Sequence, residues 1–205
     1  MVVLRAVPPA PAEALVSDAE LVLAARAGDA WASDALVRRH AARVNGLVLR
    51  LLGRDRDVDD VVQETFATAL TALDRLQEPQ AFAAWLSSIV VRITGKLIRR
   101  RRLLARLGLG RASLAIDLDE LIGPTVPLDD AMELRRLYAL AERLPASLRI
   151  PLLLRRVEGL GLDELGRVTG LSVATVKRRV AKAEELLRVS FLRGEGRRES
   201  RGETR

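Results

Sequence analysis

A chain of 205 residues is long enough for one large helical domain or two small ones, each with a modest core. Its 34 Lys and Arg against 27 Asp and Glu leave a formal charge of +7, which suits a polyanionic partner, nucleic acid ahead of an anionic membrane surface. With no cysteine and one histidine it can build neither a disulfide nor a Cys or His metal cluster, and 3% aromatic residues are too few for a stacking sheet or groove.

Abundant Ala, Leu, Arg and Glu at helical spacing, with few β-branched alternations, make the expected fold class all-α. No cofactor, metal or small-molecule substrate is expected. The N-terminus lacks an apolar run long enough for a signal peptide, and no segment offers about 18 uncharged apolar residues, so a soluble, cytoplasmic protein is expected.

Residues 1–16, with Pro8, Pro9 and Pro11, read as a disordered lead-in. Ser17 or Asp18 then caps a helix to about Ala27. Gly28 and Asp29 restart the chain, and a longer helix follows to about Leu52, with Trp31, Leu36, Val44, Leu47 and Leu51 as core and His40 on its surface. After the charged turn Gly53 to Asp57, a third helix to about Leu73 buries Val58, Val62, Phe66, Ala69 and Leu73. Its opposite side gathers Asp60, Gln63 and Glu64, with Asp59 beside them. In so basic a chain such a patch is either a solvated face or a docking surface for a basic protein. Carboxylate catalysis would need an enclosed pocket and a chemical partner, and neither is visible.

Pro79 is placed to open a fourth helix, whose buried stripe is Phe82, Trp85, Leu86, Ile89, Ile93 and Leu97. Ser88, Arg92, Lys96, Arg99 and Arg100 share another face, and the helix ends in four arginines, Arg99 to Arg102. A basic stripe of this length fits a phosphate backbone. From residue 103 to 128 glycines, prolines and acidic residues break the pattern. The net charge is +3 before this stretch, −1 within it and +5 after it, so it reads as a flexible linker between two basic domains.

The second domain is expected to start near Asp129, with Met132, Leu137, Leu140 and Leu144 on its first helix. Pro145 stops that helix, and Pro151 limits how early the next is regular. Gly161 to Leu187 then reads as a helix-turn-helix: Gly170 ends the first helix in a left-handed conformation, Ser172 caps the second, and small Gly166 permits close crossing. Val176, Val180, Ala183 and Leu187 form one stripe of the second helix, whereas Thr175, Arg178, Arg179 and Lys182 form another. With Ser172 and Lys177, these residues cluster near a helix N-terminus, where recognition helices touch bases and phosphates. Residues 191–205 read as a disordered tail, since Arg193 to Arg205 mix Gly, Arg, Glu and Ser without apolar content.

DVDDVVQETFATAL at 57–70, FAAWLSSIVVRI at 82–93 and the segment 144–183, in this order and spacing, resemble a bacterial RNA polymerase sigma factor of the extracytoplasmic-function (ECF) group. The resemblance implies sigma region 2 over 17–102, a linker over 103–128 and region 4 over 129–190. It implies two protein partners: core RNA polymerase, through its β′ clamp and β flap, and an anti-sigma factor. Asp59, Asp60, Gln63 and Glu64 would meet the β′ clamp. Promoter DNA would be held at the −10 element by Trp85, Ser88, Arg92, Lys96, Arg99 and Arg100, with flipped bases near the loop Leu76 to Ala81. Ser172, Thr175, Lys177, Arg178, Arg179 and Lys182 would read the −35 element. Arg92 and Lys96 stand where many relatives carry Asn and Asp, and their extra charge favours backbone contacts. The protein would direct promoter recognition, melting and initiation without being an enzyme. A stand-alone dimeric helix-turn-helix regulator leaves DDVVQETF unexplained, and a recombinase would need a catalytic domain that the N-terminal helices do not offer.

Overall fold

In a computed structural model describing residues 16–53, 57–109, 132, 135 and 138–202, every regular element is a helix. Residues 1–15 of the expected lead-in, most of the expected linker, and Leu137 lie outside the described residues.

Helix α1 (Asp18–Arg26) starts with a capping box: the Glu20 amide donates to Ser17 Oγ, and the Ser17 amide donates to the Glu20 carboxylate at 2.8 Å. Helix α2 (Ala30–Leu52) begins at Asp29, whose carboxylate accepts from the amides of Trp31 and Ala32. Helix α3 (Val58–Thr71) and two short 3-10 turns, Leu73–Arg75 and Pro79–Ala81, lead to α4 (Phe82–Arg106). These four helices pack on one another around Leu21, Val22, Leu36, Val44, Leu51, Phe82 and Leu86.

Two expectations for α2 are corrected. Trp31 is 48% exposed, because the first turn of α2 reaches the core through Ala32, which is fully buried, and leaves Trp31 on another face. His40 is buried: its Nε2 lies 2.9 Å from the Asp18 carboxylate, a partner from α1 that makes burial tolerable, and its ring meets Phe82 edge-on. Helix α4 also runs a turn further than expected, ending ahead of Gly108, which adopts φ +70°. It is long and apolar enough to cross a membrane, yet more than half of its most apolar window is buried within the protein.

In the second domain residues 138–141 are helical, followed by α5 (Ala146–Arg156), α6 (Leu162–Thr169) and α7 (Val173–Gly202). Helix α5 runs straight through Pro151. The missing amide is outweighed by packing, since Ile150, Leu152, Leu153 and Leu154 are all buried. The backbone of α7 stays helical over 191–202, within the expected disordered tail; Arg and Glu, frequent there, are good helix formers.

The two domains touch. Helix α4 packs against α5 and α6, and α2 packs against α5. Helix α4 buries Val90, Val91, Thr94, Gly95 and Ile98 beyond the single stripe expected of it, and at Gly95 the neighbour is Ile150 of α5, whose Cδ1 lies 3.3 Å from the position a Cβ would take.

Candidate nucleic-acid interface

Three surfaces gather the residues singled out by the sequence. On α3, Asp59, Asp60, Gln63 and Glu64 are all exposed, because Val58, Val61, Val62, Thr65 and Phe66 turn the other side into the core. Asp59 and Asp60 lie in the first turn, where the helix dipole favours negative charge. Among the described residues no cation pairs with Asp59, Asp60 or Glu64, so the patch keeps its charge. The start of α3 is tied to the basic end of α4 by an ion pair of 2.5 Å between Asp57 and Arg101.

On α4, Arg92, Lys96, Arg99 and Arg100 are exposed along one face. Trp85 and Ser88 are half-buried at its start. The Ser88 hydroxyl donates to the Trp85 carbonyl at 2.6 Å, and the Trp85 ring lies 6.0 Å from that of Phe82. Thus these two are anchored, while the four cations are free to reach outward. The loop before α4 is held by a residue not singled out from sequence. The guanidinium of Arg26, at the end of α1, donates to the carbonyls of Leu73 and Leu76. Its only sequence signal is a cation in the last turn of a helix, which the dipole alone would explain.

The helix-turn-helix forms as its spacing predicts. Gly170 ends α6 at φ +68°, its amide bonded to the Gly166 carbonyl. The role of Gly166 differs in detail: a Cβ there would lie 3.0 Å from the Leu171 carbonyl oxygen, so it makes room for the turn itself. Ser172 accepts from the Thr175 amide at 3.3 Å and donates to the Thr175 hydroxyl at 2.9 Å, so both side chains are engaged in starting α7. Val176, Val180 and Ala183 are buried. Lys177, Arg178 and Lys182 are exposed, Arg179 and Thr175 half-buried, and Lys182 pairs with Glu185 at 3.2 Å. Arg156 of α5 pairs with Glu184 at 2.7 Å and fixes α7 from behind.

Three contacts of buried or bridging side chains join the domains. The Tyr138 phenol donates to the Arg50 carbonyl at 2.8 Å, and Arg149 donates to the Leu51 carbonyl at 3.0 Å. Glu158 pairs with the Arg50 side chain. Burial pushes the Tyr138 phenol up to about 12, against the pull of Arg50 and Arg149, so it remains a donor at neutral pH.

A family model for Sigma-70 region 2 matches residues 36–104, and one for Sigma-70, region 4, matches residues 134–187. The ECF RNA polymerase sigma-E factor of Escherichia coli K12 is 31% identical over 186 residues, covering 84% of this chain and 93% of that protein. The ECF RNA polymerase sigma factor SigE of Mycolicibacterium smegmatis is 30% identical over 155 residues, 76% of this chain, which spans 60% of that relative's length. Among solved structures, CnrH in complex with the cytosolic domain of CnrY matches with a TM-score of 0.57 at 28% identity, covering 85% of this chain and 96% of that one. The sigma factor RpoE of Bartonella quintana, in complex with the anti-sigma factor NepR, shares the fold at a TM-score of 0.57 and 19% identity, covering 74% of this chain and 91% of that one.

Proposed function

Because this chain belongs to the sigma-70 family as an ECF sigma factor, we propose that its three exposed charged faces divide the steps of promoter recognition among them. The acidic face of α3, Asp59, Asp60, Gln63 and Glu64, docks on the β′ clamp of core RNA polymerase, and the second domain meets the β flap. The observation that carries this reading is that face: an exposed, unneutralised acidic cluster in a chain of net charge +7. A basic partner surface supplies the attraction that no side chain among the described residues does.

Arg92, Lys96, Arg99 and Arg100 hold the backbone of the melted −10 strand, with Trp85 and Ser88 at the start of the same helix and bases near the loop that Arg26 fixes. Each flipped base costs a few kcal/mol of unstacking and unpairing, which contacts to the exposed strand offset. Lys177, Arg178, Arg179 and Lys182 enter the −35 major groove, with Ser172 and Thr175 capping the helix that presents them. The work is binding and strand separation in the cytoplasm, beside the polymerase, without covalent chemistry. An anti-sigma factor, of the kind that binds the Bartonella relative, would restrain it.

Binding to purified core polymerase tests this reading. The natural chain is expected to bind tightly, and an Asp60→Ala/Gln63→Ala/Glu64→Ala variant with intact helicity at least tenfold more weakly. Equal binding by both would remove α3 from the interface. Binding by neither would overturn the polymerase role altogether.

A further inference from the structure

A loop of exposed polar side chains has little packing of its own, so its shape is set by what holds its ends. Between α3 and α4, Gln77, Glu78 and Gln80 are exposed, whereas Leu76 and Phe82, which bound them, are buried. Each end has its own holder. At the first, Arg26 of α1 donates to the Leu73 carbonyl from Nε at 3.2 Å and from Nη2 at 2.9 Å, and Nη2 also donates to the Leu76 carbonyl. At the second, the ring of His40 from α2 meets the Phe82 ring edge-on, with centroids 5.1 Å apart.

The two holders belong to one frame. Asp18, in the first turn of α1, accepts from the Arg39 guanidinium at 2.8 Å on one carboxylate oxygen, and its other oxygen lies 2.9 Å from His40 Nε2. Helix α1 is therefore tied to α2 at its start and to the loop at its end, and it also packs against the Pro79–Ala81 turn and α4. Docking of α1 does not depend on these bonds. Leu21 and Val22 are buried in the core, and apolar burial, being non-directional, holds a helix in place without fixing how far it slides or turns. Hydrogen bonds and ring-edge contacts are directional, and they remove that remaining freedom.

We propose that Arg26 and His40, joined through Asp18 and α1, are positioning residues that brace both ends of the loop 76–81 and give it selectivity among bases. The selectivity rests on the assignment of this loop to the −10 element above. Hydrogen-bonding groups tell bases apart only when held within about 0.5 Å of the productive geometry. A loop free to rearrange would accept a wrong base almost as readily as the right one.

The test uses holoenzyme, formed from the full chain and core polymerase, to select from a pool of promoters randomised at both the −10 and the −35 elements. The natural chain should select sharply at both. Arg26→Met and His40→Leu act at opposite ends of the loop, yet each should lower the ratio of preferred to disfavoured base at the same −10 positions by roughly tenfold, the worth of one well-placed base contact. The −35 ratios should not move, which separates positioning of the loop from a general loss of structure. His40→Gln, whose amide still reaches Asp18, should restore most of what His40→Leu loses; no rescue overturns the link through Asp18. Far-UV circular dichroism checks that the helices persist, and Arg26→Met, at a half-buried side chain, decides the matter alone if His40→Leu does not fold. Ratios unchanged in either folded variant, or lowered at −10 and −35 together, overturn the brace while the −10 assignment stands. If the natural chain forms no holoenzyme, or selects at −35 but not at −10, that assignment fails and takes the brace with it.

Discussion

Two basic helix faces in this molecule carry similar side chains in different settings. On α4 the cations Arg92 to Arg100 lie in the middle and later part of a helix whose other sides are buried, by its own domain and by the second. They form a row about 12 Å long. On α7 the basic residues occupy the first turns of a helix that follows a tight turn, with Ser172 and Gly170 shaping its entrance. A row of cations along a helix side suits the length of a strand, whereas an exposed helix start suits insertion into a groove. The same residue types thus present different shapes, according to which part of the helix is left uncovered, and the tasks proposed for them differ accordingly.

The largest effect that should separate the two faces is on sequence preference. Arg178→Ala should relax discrimination at one −35 position by about 1–3 kcal/mol, read as promoter-dependent binding by the holoenzyme. Lys96→Ala should weaken all sequences alike. If Lys96→Ala changed preference as strongly as Arg178→Ala, the contrast between strand tracking and groove reading would collapse.

A second pair of substitutions tests how each face is supported. Gly170→Val forces a β-branched residue into a left-handed conformation, at roughly 1–2 kcal/mol, and should impair −35 binding while leaving the docking of the α3 face on polymerase intact. Arg26→Met removes the donor to the Leu73 and Leu76 carbonyls, at about 1–2 kcal/mol, and should impair −10 opening instead. Thermal melting gives the stabilities, and permanganate reactivity of the promoter gives opening.

A smaller effect lies in salt dependence. Each phosphate contact to a single strand contributes about 0.7 to the slope of log affinity against log salt. Lys96→Ala should reduce that slope by about this amount on a single-stranded −10 oligonucleotide. An unchanged slope would mean that Lys96 does not touch the backbone.

What was legible in the sequence follows the same contrast between local and distant causes. The capping of α1 by Ser17, the restart at Asp29, the left-handed Gly170 and the charged faces of α3 and α7 depend on neighbours within a few residues, so spacing alone reveals them. Arg26, His40 and Tyr138 take their roles from partners 22 to 88 residues away, and nothing in their own surroundings announces it. The breadth of burial on α4 belongs to this second kind. Its Val90, Val91 and Ile98 are apolar in plain view, but their burial depends on a helix packed from several sides, by both domains. Pro151 shows the converse, a strong local signal overridden by the packing of its neighbours.

The smallest effect expected is one of pH, and it belongs to the first domain alone, since His40 is the chain's only histidine. Burial holds its imidazole below the ordinary value, although the Asp18 carboxylate pulls the other way; Arg43 and Arg39 add to the lowering. The unfolded chain, with an ordinary imidazole near 6.5, therefore binds more protons than the folded one over the window below that value. Stability from this group is full above about pH 6.5 and falls as the pH drops through the window. Acidification to about pH 5.5 should lower the melting temperature of the natural chain by roughly 1–3 °C more than that of His40→Gln, whose amide can still reach Asp18. Amide exchange should place the loosening at α1 and α2 and spare α7. If α7 loosened equally, the two domains would be sharing one cooperative unit through the end of α2. If the His40→Gln chain lost as much as the natural one, the acid sensitivity would belong to carboxylates instead.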